Sequence, residues 1–144
     1  IIRYTEEHYD KVVAPENSIV SAGAKQCIVN LLYCILNPQD EVIILAPYWV
    51  SYPEMVKMCY GVPVIVTPED GTFHPRMADI ERVVGSNTKA IIINSPNNPS
   101  GIVYREEFIA QIIDSDVILE SDGERWLMTV GENLSQASAL PPEF

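Results

Sequence analysis

This sequence predicts an α/β fold, a mainly parallel sheet flanked by helices, and three observations predict it. Short apolar runs at 42–46, 62–66 and 89–94, the first a continuous β-branched stretch, suit strands buried on both faces. Between them lie segments whose apolar residues recur at three- and four-residue steps, the helical period. The two kinds of segment alternate along the chain, and that order calls for crossover connections and parallel pairing.

Each element follows in order. Residues 1–13 mix apolar and charged side chains and suit a short helix, which Ala14-Pro15-Glu16-Asn17 punctuates. Ser18-Ile19-Val20 is a short strand candidate. The helix over 24–36 is the clearest: Ala24, Cys27, Ile28, Leu31, Leu32, Ile35 and Leu36 share one face, and Asn37-Pro38 stops it. After the strand at 42–46, Ser51-Tyr52-Pro53-Glu54 reads as a capping box that opens a second helix, with Gly61 as its C′ residue. A strand at 62–66 and a turn at Glu69-Asp70-Gly71 follow. The helix over 75–84 buries Met77, Ile80, Val83 and Val84 and is closed by Gly85. Beyond the strand at 89–94, a helix over 104–113 turns Phe108, Ile109, Ile112 and Ile113 inward, and 117–121 is a fourth strand candidate. After Asp122 the pattern breaks up under Gly123, Gly131, Asn133 and Pro141-Pro142. One short strand at 126–130 is expected there, with the last ten residues a loosely ordered tail.

Composition narrows the function classes. A chain of 144 residues makes one domain, not two, and 47% hydrophobic with 20% charged residues is a globular balance. The net charge of −11 and the nine scattered Lys and Arg form no basic stripe, which argues against nucleic acid and against an anionic membrane surface. No apolar stretch approaches the roughly 20 residues of a spanning helix, and no signal peptide is visible. Cys27, Cys34 and Cys59 lack C-x-x-C spacing and read as reduced thiols in a cytoplasmic setting. With only His8 and His74, a histidine metal site is disfavoured. Neither the G-x-G-x-x-G of a dinucleotide site, nor a Walker turn, nor a G-x-S-x-G elbow is present. The first residue is not Met, so a processed, shortened or excerpted chain is expected.

Ligands in parallel α/β sheets sit beyond the carboxyl ends of the strands, and four clusters of unusual residues fall there. Ser21-Ala22-Gly23-Ala24-Lys25-Gln26 is either a phosphate seat at a helix N-terminus or a plain turn that needs Gly for its φ. Ala46-Pro47-Tyr48-Trp49-Val50-Ser51 either presents a flat ring to a heteroaromatic ligand or caps the core. Asn94-Ser95-Pro96-Asn97-Asn98-Pro99-Ser100-Gly101 is the most specific: two X-Pro bonds and a Gly shape a rigid loop, and three Asn supply donors and acceptors. A cis peptide in it is left open by sequence. Ser121-Asp122 either sets a carboxylate against a ring nitrogen or is an exposed turn.

In this order the four clusters resemble the fold-type-I, pyridoxal-phosphate-dependent aminotransferases of class I/II, most closely the aspartate and aromatic branch. The resemblance covers 1–113 well and extends with less support to Asp122. It implies that 1–122 is part of the cofactor-binding large domain and that 123–144 is a divergent or loosely ordered tail. It further implies the cofactor pyridoxal 5′-phosphate, with backbone amides of Gly23, Ala24 and Lys25 around its phosphate, Trp49 stacked on its ring, Asn98 on its ring oxygen and Asp122 on its ring nitrogen. Implied too are an amino acid and a 2-oxo acid as substrates, and a homo-oligomer. The family's covalent anchor is a lysine in a Ser-x-Ser-Lys segment well beyond the aspartate. The lysines here are Lys11, Lys25, Lys57 and Lys89, none of them in that context. No catalytic residue is therefore assigned, and this chain by itself is expected not to transaminate. A non-catalytic cofactor-binding or oligomerisation domain is the alternative. The span from Asn98 to Asp122 is about one helical turn shorter than the family's. Gly123-Glu124-Arg125-Trp126 stands where the family has Glu-Ile-Tyr, so Glu120 and Glu124 are alternatives to Asp122.

Overall fold

The computed structural model describes residues 2–10, 12–68, 71–115, 125–130 and 135–140. Strand β1 (Glu41–Leu45) lies between β2 (Val62–Val66) and β3 (Thr88–Asn94), parallel to both. Leu45 pairs with Val66 and Ile44 with Ile92. Strand β4 (Arg125–Val130) continues the parallel run beside β3, and β5 (Ser135–Leu140) closes the sheet antiparallel to β4. The order is β2-β1-β3-β4-β5. Among the described residues five α-helices accompany these strands: α1 (Ile2–Tyr9), α2 (Ala24–Ile35), α3 (Ser51–Met58), α4 (Met77–Glu81) and α5 (Glu106–Asp114).

The pleat of β1 sorts the core. Val42 and Ile44 pack with Ile28 and Leu32 of α2 and with Met55 and Val56 of α3. Ile43 and Leu45 face the other way, into a cluster with Ile80 of α4 and Ile112 of α5. Val42, Ile43, Ile44 and Leu45 are all buried, which is why the run shows no alternation. Each fully buried aliphatic side chain contributes roughly 1.5–3 kcal/mol relative to exposure. Among the described residues no helix is long and apolar enough to cross a membrane.

Local details depart from the sequence expectations in five places. Residues 18–20 form no strand: Ile19 and Val20 are exposed, and among the described residues no strand pairs with them. The capping box at Ser51 does not form. Tyr52 N–H already donates to Trp49 O (3.0 Å), so the coil starts earlier, and Ser51 lies inside the helix instead of at its cap, Val50. At the other end of α3, Tyr60 and not Gly61 takes the left-handed conformation (φ 65°). Tyr60 N–H donates to Lys57 O (3.0 Å) and Gly61 N–H to Val56 O (3.0 Å), the paired bonds of a Schellman ending. Helix α4 is shorter than its apolar pattern, because Val83 and Val84 continue the core contact from a turn. Part of the expected tail, 135–140, is a strand: β4 offers it an edge across a four-residue connection. The strand candidate at 117–121 lies outside the described residues.

Asp79, buried in the first turn of α4, binds that turn together. Its carboxylate accepts from the Arg76 backbone N–H (2.9 Å) and from Arg76 Nε (3.2 Å) and Nη2 (3.1 Å), and it also pairs with Arg82. The Arg76 side-chain hydrogen bonds, seconded by its backbone N–H and opposed by desolvation, pull the Asp79 carboxyl down to about 2. A folded value below the unfolded one, about 3.9, contributes stability that is whole above pH ~4 and is lost as pH falls toward ~2. Urea unfolding of wild type and Asp79→Asn should therefore show a stability gap that narrows across that window. A gap independent of pH would show that the carboxylate's charge contributes nothing.

Candidate functional site at the carboxyl edge of the sheet

The chain leaves β1 through α3, on the face shared with α2, and leaves β3 through α5, on the opposite face. Neighbouring parallel strands whose exits diverge open a crevice at their carboxyl ends, the ligand position of open α/β sheets. The loops after β1 and β3 border it. They are the aromatic and asparagine clusters of the sequence.

At the start of α2, Gly23 sits at φ 91°, a conformation side chains rarely adopt, and an added Cβ would meet open space. Its N–H donates to Ser21 O (2.8 Å), so of the three expected phosphate amides this one is turned inward. Gln26 Oε1 accepts from the Ala22 N–H (2.7 Å). Among the described residues no side chain caps α2, which leaves the amides of Ala24 and Lys25 in the first turn with the positive end of the helix dipole. Gly23, Ala24 and Lys25 are all exposed.

The structure joins this turn to the aromatic cluster. Lys25 Nζ stands 4.8 Å from the Trp49 ring centroid, a cation–π contact between residues 24 positions apart. Trp49 is half-buried against the core cluster, with Tyr52 edge-on to it at 5.5 Å and 89°. Tyr52 is buried, and desolvation pushes its phenol up to about 12, so it stays neutral beneath the indole. The sequence reading missed Tyr52 as the support of Trp49. The signal lay in its helical i,i+3 spacing. Lys57, by contrast, is engaged with Glu54 (2.9 Å).

In the asparagine loop the three amides divide their work. Asn94 and Asn97 are buried, at 7% and 5% exposure, whereas Asn98 is exposed. Asn94 Oδ1 accepts from the Asn98 N–H (2.8 Å). Asn97 Oδ1 accepts from the Ser100 hydroxyl (2.8 Å), and Asn97 N–H donates to Ile102 O (2.8 Å). Ser95 Oγ accepts from the Tyr104 N–H (3.1 Å), which ties the loop's return to its start. Gly101 supplies the left-handed residue at φ 73°. The peptide bonds before Pro47, Pro96 and Pro99 are cis. Burial raises the Tyr104 phenol, partly offset by the nearby Asn97 side chain, though its hydroxyl closes no hydrogen bond among the described residues. Asp122, with its alternatives Glu120 and Glu124, lies outside the described residues.

Residues 1–122 match the family model described as aminotransferase class I and II. A probable aspartate/prephenate aminotransferase of Thermus aquaticus is 50% identical over 116 residues, covering 76% of this chain and 30% of that protein. The aspartate/prephenate aminotransferase of Thermus thermophilus is 44% identical over 136 residues, covering 90% and 35%. Among solved structures, an aspartate aminotransferase from Thermus thermophilus with maleate superposes with a TM-score of 0.78 at 39% identity, over 90% of this chain and 33% of that one. One from Thermotoga maritima gives 0.79 at 32%, over 89% and 33%. The chain thus spans about a third of the length of these relatives. With a family model covering 122 of its 144 residues and two solved aminotransferases sharing its fold, this chain belongs to the class I and II aminotransferase family.

Proposed function

We propose that these residues form a seat for pyridoxal 5′-phosphate and supply only the cofactor-binding part of a site for amino-group transfer between an amino acid, aspartate by analogy with the relatives, and a 2-oxo acid. The observation that carries this reading is the meeting of Lys25 and Trp49, a phosphate-type turn and a flat aromatic ring, at one point of the crevice. The donor set suits the cofactor. The amides of Ala24 and Lys25 and the Lys25 ammonium match a phosphate dianion. Trp49, braced by Tyr52, offers a face to a pyridine ring, and the flexible stem of Lys25 lets its ammonium swing from the indole to the phosphate. The exposed Asn98 carboxamide suits the ring oxygen, and we assign Asp122 to the ring nitrogen.

The chemistry the bound cofactor supplies is an electron sink for the charge left when a substrate loses its α-proton. What these residues do is bind, orient and polarise. The turn at α2 and Trp49 would hold the phosphate and the ring face, and Asn98 would bind the ring oxygen. A carboxylate at Asp122, with Glu120 and Glu124 as the alternatives, would hold the ring nitrogen protonated. None of Lys11, Lys25, Lys57 and Lys89 has the Ser-x-Ser-Lys context of the covalent anchor, so we infer that the 144 residues alone bind the cofactor without a covalent link and do not transaminate.

Pyridoxamine 5′-phosphate tests this directly, because it has no aldehyde to condense with surface lysines. A Trp126→Phe background leaves Trp49 as the sole indole reporter. Saturable quenching of Trp49 fluorescence, competed by inorganic phosphate, is the expected result. Absence of saturable quenching would overturn the proposal.

A further inference from the structure

We propose that Asn94 is a positioning residue of this site: its buried side chain fixes the backbone from which Asn98 reaches the ligand. This inference rests on the cofactor reading above and goes beyond it, since Asn94 itself is assigned no ligand contact.

Asn94 is the last residue of β3, so its backbone is held by the sheet, and the residue is 7% exposed. From that rigid post Oδ1 accepts the Asn98 N–H at 2.8 Å across four residues. That bond spans the turn between two cis prolyl peptides, where Pro96 and Pro99 have no N–H of their own to donate. With the Asn97 N–H taken by Ile102 O, the Asn98 N–H is the backbone donor between the two prolines that ties the turn to the strand. Asn97 secures the opposite limb through Ser100, Gly101 and Ile102. Asn98, between the two clasps, is exposed, and its carboxamide makes no hydrogen bond among the described residues. Two buried amides thus hold the loop and the third is presented. A ligand contact through Asn98 is only as well placed as the Asn94 bond makes it, because an error of about 1 Å in a positioned group costs much of its effect.

The test is a double-mutant cycle on this chain in the Trp126→Phe background, read by pyridoxamine 5′-phosphate affinity and by the absorbance of the bound ligand, which responds to hydrogen bonding at its ring oxygen. Asn94→Ala is expected to weaken binding roughly tenfold when Asn98 is present, the scale of one lost hydrogen bond to the ligand. It should shift the ligand absorbance in the same sense as Asn98→Ala. In an Asn98→Ala background, Asn94→Ala should change affinity by less than about twofold, because independent sites add and coupled ones do not. Asn94→Asp, which keeps an acceptor for the Asn98 N–H, should restore the wild-type absorbance. If Asn94→Ala does not fold, Asn94→Leu fills the same buried space and carries the cycle. Equal losses in both backgrounds, or weakened binding with unshifted absorbance, would reduce Asn94 to a structural residue and leave the cofactor reading intact. A parent protein that shows no saturable binding would overturn both.

Discussion

Replacing Trp49 by alanine is expected to weaken pyridoxamine 5′-phosphate binding about 5- to 150-fold, the range set by the ~1–3 kcal/mol of stacking one heteroaromatic ring on an aromatic side chain. Two features of the structure place the effect in the upper part of that range. The indole is already ordered, wedged against the α2–α3 core with Tyr52 edge-on at 5.5 Å, so the ligand does not have to immobilise it. Lys25 Nζ also stands 4.8 Å from the indole centroid, so losing the ring removes the contact that joins the α2 turn to the aromatic cluster. Trp49→Phe should recover most of the loss, because a smaller ring keeps a flat face. The Tyr52 phenol, pushed up to about 12, stays neutral across the neutral pH range, so Tyr52→Phe should leave the pH dependence of binding unchanged. Titration calorimetry reads all three. Wild-type affinity in Trp49→Ala, together with loss in Trp49→Phe, would refute a stacking role.

The loops that border the crevice were legible in the sequence, since each is local. A strand end followed by Pro-Tyr-Trp, or by a loop dense in Asn and Pro, advertises itself over eight residues, and the helical period of 24–36 fixes where the phosphate-type turn lies. The relations between the parts were not legible. Lys25 meets Trp49 only because α2 and α3 pack on the same face of β1, a consequence of which β1 side chains point which way. Nothing in the string Asn-Ser-Pro-Asn-Asn-Pro distinguishes the two asparagines that are buried from the one that is presented. Depth below the sheet edge decides that. The cap at Ser51 failed as a sequence signal for a similar reason. Its spacing was correct, but the turn at Trp49 had already supplied the first helical bond.

Gly61→Ala is expected to destabilise the fold by about 1–3 kcal/mol, the usual cost of forcing an extra methyl into a packed interior. The sequence suggested that Gly61 serves backbone freedom, but the left-handed residue is its neighbour Tyr60, and Gly61 is required for room. A Cβ there would stand 2.8 Å from Leu36 Cδ1, 3.0 Å from Val56 Cγ1 and 3.2 Å from Asp40 O. Leu36 is half-buried and can rotate, but Val56 is fully buried and β-branched, and Asp40 O is backbone that accepts the Val62 N–H (2.8 Å) at the start of β2. Relieving the clash therefore strains the joint where α3 hands over to β2. Gly85→Ala is the matched control. Its Cβ would meet nothing within 4 Å and its φ is not left-handed, so it should be neutral or stabilise by up to ~1 kcal/mol through the unfolded chain. Thermal unfolding of the three proteins decides, and a Gly61→Ala midpoint equal to wild type would show that the joint yields freely. Gly61 lies at the amino end of β2, whereas Trp49 and Asn98 lie beyond the carboxyl ends of β1 and β3. Below its unfolding transition, Gly61→Ala should consequently bind pyridoxamine 5′-phosphate with wild-type affinity while Trp49→Ala does not. That contrast separates the edge of the sheet that holds the fold from the edge proposed to hold the ligand.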